Sequence, residues 1–492
     1  MITDVVTKSS CVGCKACQDI CARKAISFKT EQDGFWHPVV DKSKCNECGL
    51  CSKVCPALKL HLISKDILKE PIAYKVYHKD PNVRYNSTSG ALYYGLAKPF
   101  VDNKEYIAGC LFSEDYSKAY HDIGNTQNFL NKVIRSKYFQ SDTEGIFLKV
   151  RKQLLLGKKV LFCGTPCQVS ALNGFLGKDY DNLFTAELIC RGINSPLAYT
   201  KFIEELEQKY KSKVSEVHFK NKSHGWTKLG TLVKFKNGKK YYRHRFNDPW
   251  VNGFVVGNLF LRECCSNCKY KSFPRCADIT LGDFWGLKLS KEEKNLGVSV
   301  AIVNTEKGRR LLQQSFDELF IEPKELSLAV KGNPALEHSS SLSEKRTVFF
   351  DRISSENFST VVWSLLNSSR YKRLKNQYAF ALKSHCKSII KFIQDKVSEA
   401  NAKGLSNLLK AIRKFEKESV DDNQGLRIAI IGSTALQYFV KFLKYALHHE
   451  GIKCSILEGE YDSIRFEVFD NNSQLYAFKP NIVILLPFFT DL

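Results

Sequence analysis

The sequence predicts a multidomain chain of α+β and α/β class, built in four parts. A small cysteine-rich module at 1–62 precedes a central mixed α/β domain at 70–345, a basic helical linker at 350–425 and a partial α/β unit at 426–492. Three observations lead there. At 492 residues the chain is too long for a single core. Eight of its 18 cysteines fall between Cys11 and Cys55, in two copies of one spacing. From Ile72 onward, short β-branched and aromatic runs alternate with stretches of helical period, and the alternation restarts at Leu426.

The first copy is Cys11, Cys14, Cys17 and Cys21, and the second is Cys45, Cys48, Cys51 and Cys55, followed by Pro56. Both read C-x2-C-x2-C-x3-C. Three thiolates of such a run converge on one 4Fe–4S cube, and the fourth reaches the other cube. One cube is therefore assigned Cys11, Cys14, Cys17 and Cys55, and the other Cys45, Cys48, Cys51 and Cys21. Zinc knuckles also use C-x2-C, but tetrahedral zinc needs only two such pairs, and four evenly spaced cysteines per run exceed that. Between the runs, 24–29 and 35–40 read as strands around the turn Asp33-Gly34. The segment resembles the two-cluster bacterial ferredoxin domain, with Ala22 standing where the second run has Pro56. Such a module has almost no apolar core, so its clusters hold it together.

Composition excludes several classes. Hydrophobic residues make up 43% of the chain and charged residues 25%, ordinary for a globular protein. No apolar run approaches the roughly 18 residues of a membrane-spanning helix. The opening Met-Ile-Thr-Asp lacks the basic-then-apolar order of a secretory signal. Cysteines spaced for metal need a reducing interior, so a cytoplasmic protein is expected. Net charge is +23, and the excess peaks at 370–418, where Lys and Arg outnumber Asp and Glu by 13 to 4. No nucleic-acid motif accompanies it, so nucleic acid is not an expected partner. An acidic redox partner protein, an anionic small substrate, or a membrane surface touched but not spanned are the readings left.

After a connector at 57–70, 72–78 reads as a strand. Ser87-Thr88-Ser89-Gly90 then leads into a helix at 92–104. Small hydroxyl residues and a glycine at a helix start either cap it or offer N–H groups to a phosphate. A strand at 106–111 follows, and Ser136-Lys137-Tyr138 lies in a polar loop before a helix ending near Leu156. Strand 159–163 runs into Gly164-Thr165-Pro166-Cys167-Gln168 and a helix to about Leu176. A strand–glycine loop–helix junction is where α/β sheets bind ligands, and a helix start favours a thiolate at Cys167. Strand 183–188 ends at Cys190-Arg191-Gly192, and 196–210 is helical. A β-rich part follows at 214–220, 229–236 and 239–245, with Asn237-Gly238 as a hairpin turn. Cys265-x2-Cys268 and Cys276 then precede Ala277-Asp278-Ile279-Thr280-Leu281-Gly282-Asp283-Phe284-Trp285, a strand ending in an acidic–aromatic loop.

Taken together, these runs resemble the beta-subunit family of coenzyme F-420 hydrogenases and dehydrogenases. The residues that carry the resemblance are the ferredoxin run, Ser87–Gly90, Ser136–Tyr138, Gly164–Gln168, Cys190–Gly192, Cys265-x2-Cys268 and Ala277–Trp285. The resemblance implies FAD and a 4Fe–4S cluster in the α/β part, beside the two ferredoxin clusters. The remaining cysteines fit this, with Cys167, Cys190, Cys265 and Cys268 as a third set. Cys264 and Cys276 compete for a place, zinc on Cys265, Cys268 and Cys276 is an alternative, and Cys110, Cys163, Cys386 and Cys454 read as lone residues. Ser87, Thr88, Ser89 and Gly90 are candidates to cradle the flavin diphosphate. Lys137 is a candidate to neutralise a phosphate or sit by the ring, and Gly164 and Thr165 to present N–H groups to it. Helix caps, a surface lysine and a turn explain the same residues equally well. Asp283 and Lys137 are the candidate catalytic residues.

The stretch 350–418 reads as one or two linker helices with a solvated basic face. After a polar break, strand 426–431, Gly432-Ser433-Thr434, helix 436–450 and strands 453–457 and 482–486 form a new α/β unit. It resembles the start of FkbH-like proteins, whose N-terminal part is SGNH-hydrolase-like. The resemblance lies on Gly432-Ser433-Thr434, Glu458-Gly459-Glu460-Tyr461, Ser473, Tyr476 and Phe478-Lys479-Pro480. Ser433 at a strand-to-helix turn is placed as a nucleophile. No D-x2-H pair follows it, so a truncated unit is expected.

The expected protein is an iron–sulfur flavoprotein oxidoreductase. Electrons from ferredoxin-type clusters reach FAD and then a small organic substrate, with a ferredoxin or another donor as partner. The FkbH-like tail points to bacterial polysaccharide or secondary-metabolite biosynthesis. The alternatives are a non-catalytic electron-transfer subunit, an F-420 reductase or dehydrogenase subunit, and a basic scaffold with structural zinc.

Overall fold

The computed structural model describes residues 1–62, 66–366, 412, 425–432, 436–449, 452–460, 463–470 and 472–486. The chain divides into two compact units, 1–378 and 379–492. Cys386, Ser433, Thr434, Tyr461 and most of the expected linker lie outside the described residues.

In the first unit, β1 (Ile26–Thr30) and β2 (Trp36–Val40) pair antiparallel, with Ile26 opposite Val40. Gly34 turns between them at φ +78°, where a Cβ would come within 2.7 Å of the Leu197 backbone nitrogen. The hairpin is thus pressed onto the helix Pro196–Tyr210. Short helices at Ala16–Asp19 and Leu50–Lys53 follow the first cysteines of each run.

The main sheet is built from β3 (Ile67–His78), β4 (Tyr106–Phe112), β5 (Ala119–Gly124), β6 (Val160–Gly164), β7 (Leu183–Leu188), β11 (Ile279–Asp283), β12 (Ser299–Thr305) and β13 (Leu319–Lys324). Their order is β13-β3-β12-β11-β7-β6-β4-β5. The centre, β11-β7-β6-β4, is parallel, and antiparallel strands flank it. Period two divides the central strands between two cores. Val160 and Phe162 face Phe147, Val150 and Leu172, while Leu161 faces Leu96, Phe100 and Leu311. Burial on both faces explains why these strands are apolar runs without alternation. A separate antiparallel sheet holds β8 (Val214–Asn221), β9 (Gly230–Phe235) and β10 (Lys240–His244). Strands β5, β12 and β13 add to the expected elements.

The cysteine module is docked onto the rest of its unit: Cys14, Ala16 and Val54 share a core with Val169, Leu172 and Tyr270. The expected linker starts too early at residue 350. Phe349, Ile353, Phe358, Val361, Val362 and Leu365 are buried with Phe202, Trp250 and Phe260. Their aromatic and β-branched side chains, rather than basic ones, decide where this stretch packs. No helix among the described residues is long and apolar enough to cross a membrane.

The second unit is a parallel sheet of β14 (Leu426–Gly432), β15 (Cys454–Glu458) and β16 (Ile482–Leu486), ordered β15-β14-β16. Ile428 and Ile430 pack on the helix Gln437–His449 side, Ala429 and Ile431 on Leu475 and Val468.

One ion pair lies inside the main sheet. Arg275 Nε donates to Glu187 Oε1 at 2.5 Å, with side chains 2% and 0% exposed. Arg275 also donates to the carbonyl of Tyr270, and Glu187 accepts from Thr280. The pair straps the loop before β11 onto β7. Arg275→Met leaves the Glu187 carboxylate buried without its cation and is expected to cost about 3–5 kcal/mol. Chemical denaturation of the two proteins measures it, and a change below about 1 kcal/mol counts against a structural role for the pair.

Candidate functional site

The parallel strands end at Phe112, Gly164, Leu188 and Asp283, all on one edge of the sheet. Ligand sites of α/β sheets form at that carboxyl edge. Cys167 lies just beyond β6, Cys190 just beyond β7, and Asp283 closes β11. The Ser87–Gly90 loop reaches the same edge: Gly90 N–H donates to Ser299 Oγ at 2.9 Å, and Ser299 pairs with Asp283.

The first cysteine set surrounds a cavity. Cys11, Cys14, Cys17 and Cys55 line it together with Ile2, Val6, Phe28 and Pro56. Burial pushes the Cys14, Cys17 and Cys55 thiols up, and each is pushed further by charge on its neighbours. All six pairs of the four are close enough to feel each other's charge. Four thiols in a dry cavity suit a charged iron cluster, which takes them as thiolates. Of the second set, Cys21 and Cys51 pack against the same small core, while Cys45 is half-buried and Cys48 exposed. The second set therefore lies toward solvent and the first toward the sheet.

The third set is gathered from separate elements. Cys167 lies in the first turn of the helix Pro166–Leu176, Cys190 follows β7, Cys265 lies within the turn Glu263–Asn267 and Cys268 directly follows it. Burial pushes Cys190 up to about 12, and charge on Cys265 and Cys268 adds to it. Again all six pairs are mutual neighbours. Cys276 also feels charge on Cys167 and Cys268, and its N–H donates to Glu187. Cys264 neighbours Cys265. Cys167, Cys190, Cys265 and Cys268 thus form one mutual group, with Cys264 and Cys276 beside it. Among the described residues, no three His, Cys, Asp or Glu side chains crowd together as a single metal ion needs; tetrahedral zinc holds its thiolates about 3.8 Å apart, given Zn–S bonds of about 2.3 Å.

Tyr270 stands between the two inner sets. Its hydroxyl donates to Pro56 O at 2.9 Å. Burial raises its pKa, and charge on Cys167, Cys276 and Cys14 raises it further. Arg262 joins the same parts from the other side. Its Nε donates to Cys11 O at 2.8 Å, Nη1 to Gln140 Oε1 at 2.8 Å and Nη2 to Trp36 O at 2.9 Å.

The other candidates divide. Lys137 turns inward, with Nζ aimed at the carbonyls of Lys132, Val133, Ile134 and Arg135, closing the end of helix Gln127–Val133. Burial lowers its pKa to about 8. Thr165 N–H donates to Gln168 Oε1 at 2.9 Å, and Gly164 ends β6 against the Gln168 side chain. Ser89 Oγ donates to Val298 O at 2.5 Å, and Thr88 faces Ser136. Ser87 Oγ is different: it is buried without a hydrogen-bond partner, as are Arg84 Nη2, Arg245 Nε and Asp283 Oδ1. Asp283 Oδ2 accepts from Lys220 Nζ, which lies 5.4 Å from the Tyr138 ring centroid. Burial alone would lower the Lys220 pKa, but Asp283 outweighs it and holds the ammonium charged. Lys220, Arg245, Arg262 and Tyr270 carry no motif in the sequence.

Residues 157–328 match the family model for the C terminus of the coenzyme F420 hydrogenase/dehydrogenase beta subunit. Residues 10–58 match the 4Fe-4S dicluster domain, and residues 427–488 the N-terminal domain of FkbH. No curated protein matches the chain. A chain of the F420-reducing nickel–iron hydrogenase complex from Methanosarcina barkeri is similar at 14% identity and a TM-score of 0.39. The similarity covers 56% of this chain and 91% of that one.

Arg262→Met leaves the carbonyls of Cys11 and Trp36 and the Gln140 side chain without their donor, at about 1–3 kcal/mol each. Arg262→Lys does not restore them, because an ammonium lacks the planar fork. Both variants are expected to release iron from the N-terminal module at least tenfold faster to a chelator. Release at the wild-type rate contradicts the joint.

Proposed function

We propose that the protein is an iron–sulfur flavin oxidoreductase. Electrons from a donor protein reach the ferredoxin-type module, pass by way of a third cluster to FAD, and serve chemistry on a small organic substrate. The observation that carries this reading is the assembly of Cys167, Cys190, Cys265 and Cys268 at the carboxyl edge of the sheet, with Tyr270 linking them to the cavity of Cys11, Cys14, Cys17 and Cys55. The dicluster match supports the iron–sulfur content, and the beta-subunit match an electron-transfer oxidoreductase.

Flavin, when bound, exchanges electrons singly with clusters and in pairs with organic substrates. The orphaned buried atoms favour its place at this edge: an unpartnered polar group there costs free energy that a ligand relieves. Ser87 Oγ, Arg84 Nη2 and Arg245 Nε are the free donors for phosphate or ring oxygens. Thr88, Ser89, Gly90, Gly164 and Thr165 shape the loops around them. Lys137 holds a helix end beside the site. Asp283 keeps one oxygen on Lys220 and one free, so it can orient or accept a proton from a substrate in a dry setting. The FkbH match favours a sugar- or acyl-linked substrate from polysaccharide or secondary-metabolite synthesis.

The beta-subunit match also favours a second reading, an electron-transfer subunit that serves a partner enzyme or the deazaflavin coenzyme. Asp283→Asn separates the two. It is expected to lower substrate turnover by at least about 100-fold while reduction of an artificial dye acceptor stays unchanged. Unchanged rates with both acceptors support the partner subunit.

Anaerobic purification with metal and flavin quantitation tests the whole. Three cubes require about 12 Fe per chain, together with one flavin. About 8 Fe and no flavin leaves a ferredoxin and removes the oxidoreductase. Stripping the iron is expected to unfold the N-terminal module while the main sheet persists, read by loss of its protease resistance.

A further inference from the structure

The hydroxyl of Thr165 lies 3.2 Å from Cys167 Sγ. Backbone N–H groups reach three other sulfurs, Gly13 on Cys11, Ala25 on Cys21 and Ile193 on Cys265, each at 3.4 Å. We propose that Thr165 sets the reduction potential of the third cluster, through a hydrogen bond from its hydroxyl to the Cys167 sulfur. The inference rests on the three-cluster reading above.

Thr165 is firmly held. It is the cap of the helix Pro166–Leu176, and a capping box ties it to Gln168 in both directions. Gln168 is held in turn by a buried chain. Its Nε2 donates to Ser141 Oγ at 3.1 Å, Ser141 lies 3.0 Å from His121 Nδ1, and His121 Nε2 lies 3.3 Å from Cys163 O. A carbonyl only accepts, so Nε2 carries the imidazole proton and Nδ1 accepts from Ser141. Ser141 therefore has its oxygen free for the Gln168 amide, which fixes Gln168 Oε1 toward Thr165.

That leaves the hydroxyl proton of Thr165 with two acceptors in reach. One is Gln168 Oε1 at 3.1 Å, which already receives the Thr165 N–H at 2.9 Å. The other is Cys167 Sγ. An iron-bound thiolate carries negative charge, and charge-assisted hydrogen bonds outcompete neutral ones. In the loaded protein the proton goes to sulfur. Reduction adds negative charge to the cluster, so a donor on its sulfur stabilises the reduced form more than the oxidised one. The hydroxyl raises the potential, and Thr165 acts as a positioning residue through the cluster.

The test is an EPR-monitored redox titration of the third cluster in wild type and in Thr165→Val, Thr165→Ala and Thr165→Ser, with iron content measured on each. The valine and alanine variants are expected to titrate at more negative potential. A tenfold change in the one-electron equilibrium corresponds to about 59 mV, and a several-fold change is resolvable. The serine variant is expected to titrate with wild type, because it keeps the hydroxyl and loses only a methyl. Comparing serine with alanine removes the question of side-chain volume. Valine and alanine variants that hold three cubes and titrate like wild type overturn the inference and leave the three-cluster reading standing. So does a serine variant shifted as far as valine. If serine loads the third cube and neither valine nor alanine does, the hydroxyl builds the site rather than tuning it, and the inference falls. Wild type with about 8 Fe, two cubes' worth, removes the three-cluster reading itself, and the inference with it.

Discussion

Arg262 is the joint on which the geometry of the electron path depends. Its backbone N–H donates to Ile193 O, on the loop that follows Cys190. Its guanidinium reaches the carbonyls of Cys11 and Trp36 and the side chain of Gln140. The residue itself sits three places before Cys265. One side chain thus fixes the distance between the first cysteine cavity and the loops that carry two of the third set. A module with little apolar core cannot hold such a distance alone. Lysine cannot replace arginine here, because three acceptors in three directions need the fork of a guanidinium. Tyr270 on Pro56, Thr143 on Cys14 O, and Lys15 between Asp142 and Glu144 complete the dock.

Spacing made the cysteines legible and left their surroundings dark. Two C-x2-C-x2-C-x3-C runs mark eight candidate thiolates, and the family match over 10–58 agrees with a dicluster module. The central strands were legible for a related reason: burial on both faces leaves apolar runs such as 160–163 and 183–188. β5, with His121, Asp122 and Gly124 among its residues, and β13, broken by Pro323, carry no such run. The cofactor residues were the hardest. Ser87 and Thr165 look alike in sequence, small hydroxyl residues at the edge of a helix. In the fold one hydroxyl is orphaned and the other is engaged by Gln168 and Cys167. The difference at Thr165 is local, made by Cys167 and Gln168 two and three residues on.

The basic composition has an internal part. Lys271 donates to the carbonyls of Cys190 and Ala335, Lys222 to those of Arg84, Ser89 and Leu296, and Lys137 to a whole helix end. Arg191 holds the carbonyls of Phe254 and Val255. These cations do what secondary structure cannot do in the loops at the sheet edge, which is to satisfy buried carbonyls. Lys271 also stands beside Cys190, a ligand of the proposed third cluster. Charge on Lys271 offsets part of the burial penalty at Cys190 and Cys268, and Arg275 does so at Cys268. A net charge of +23 therefore need not describe a surface for nucleic acid or lipid.

The run Gly164-Thr165-Pro166-Cys167-Gln168 carries several local constraints at once. Each residue has a local reason. A Cβ on Gly164 would stand 3.1 Å from the Gln168 side chain. Thr165 caps, Pro166 takes the first helical position where its missing N–H costs nothing, and Gln168 closes the capping box. These choices place Cys167 in the first turn, with its sulfur toward the set and its backbone fixed. Glycine before the turn and a threonine N–H suggested a cradle for the flavin ring, yet that N–H is the one the capping box consumes. The hydroxyl remains, and its proton has only an amide oxygen and a sulfur to choose between. The rigidity that makes the run a good helix start is the same rigidity that holds the Thr165 hydroxyl 3.2 Å from the Cys167 sulfur, so under the proposed third cluster a cap and a redox-tuning contact are one device.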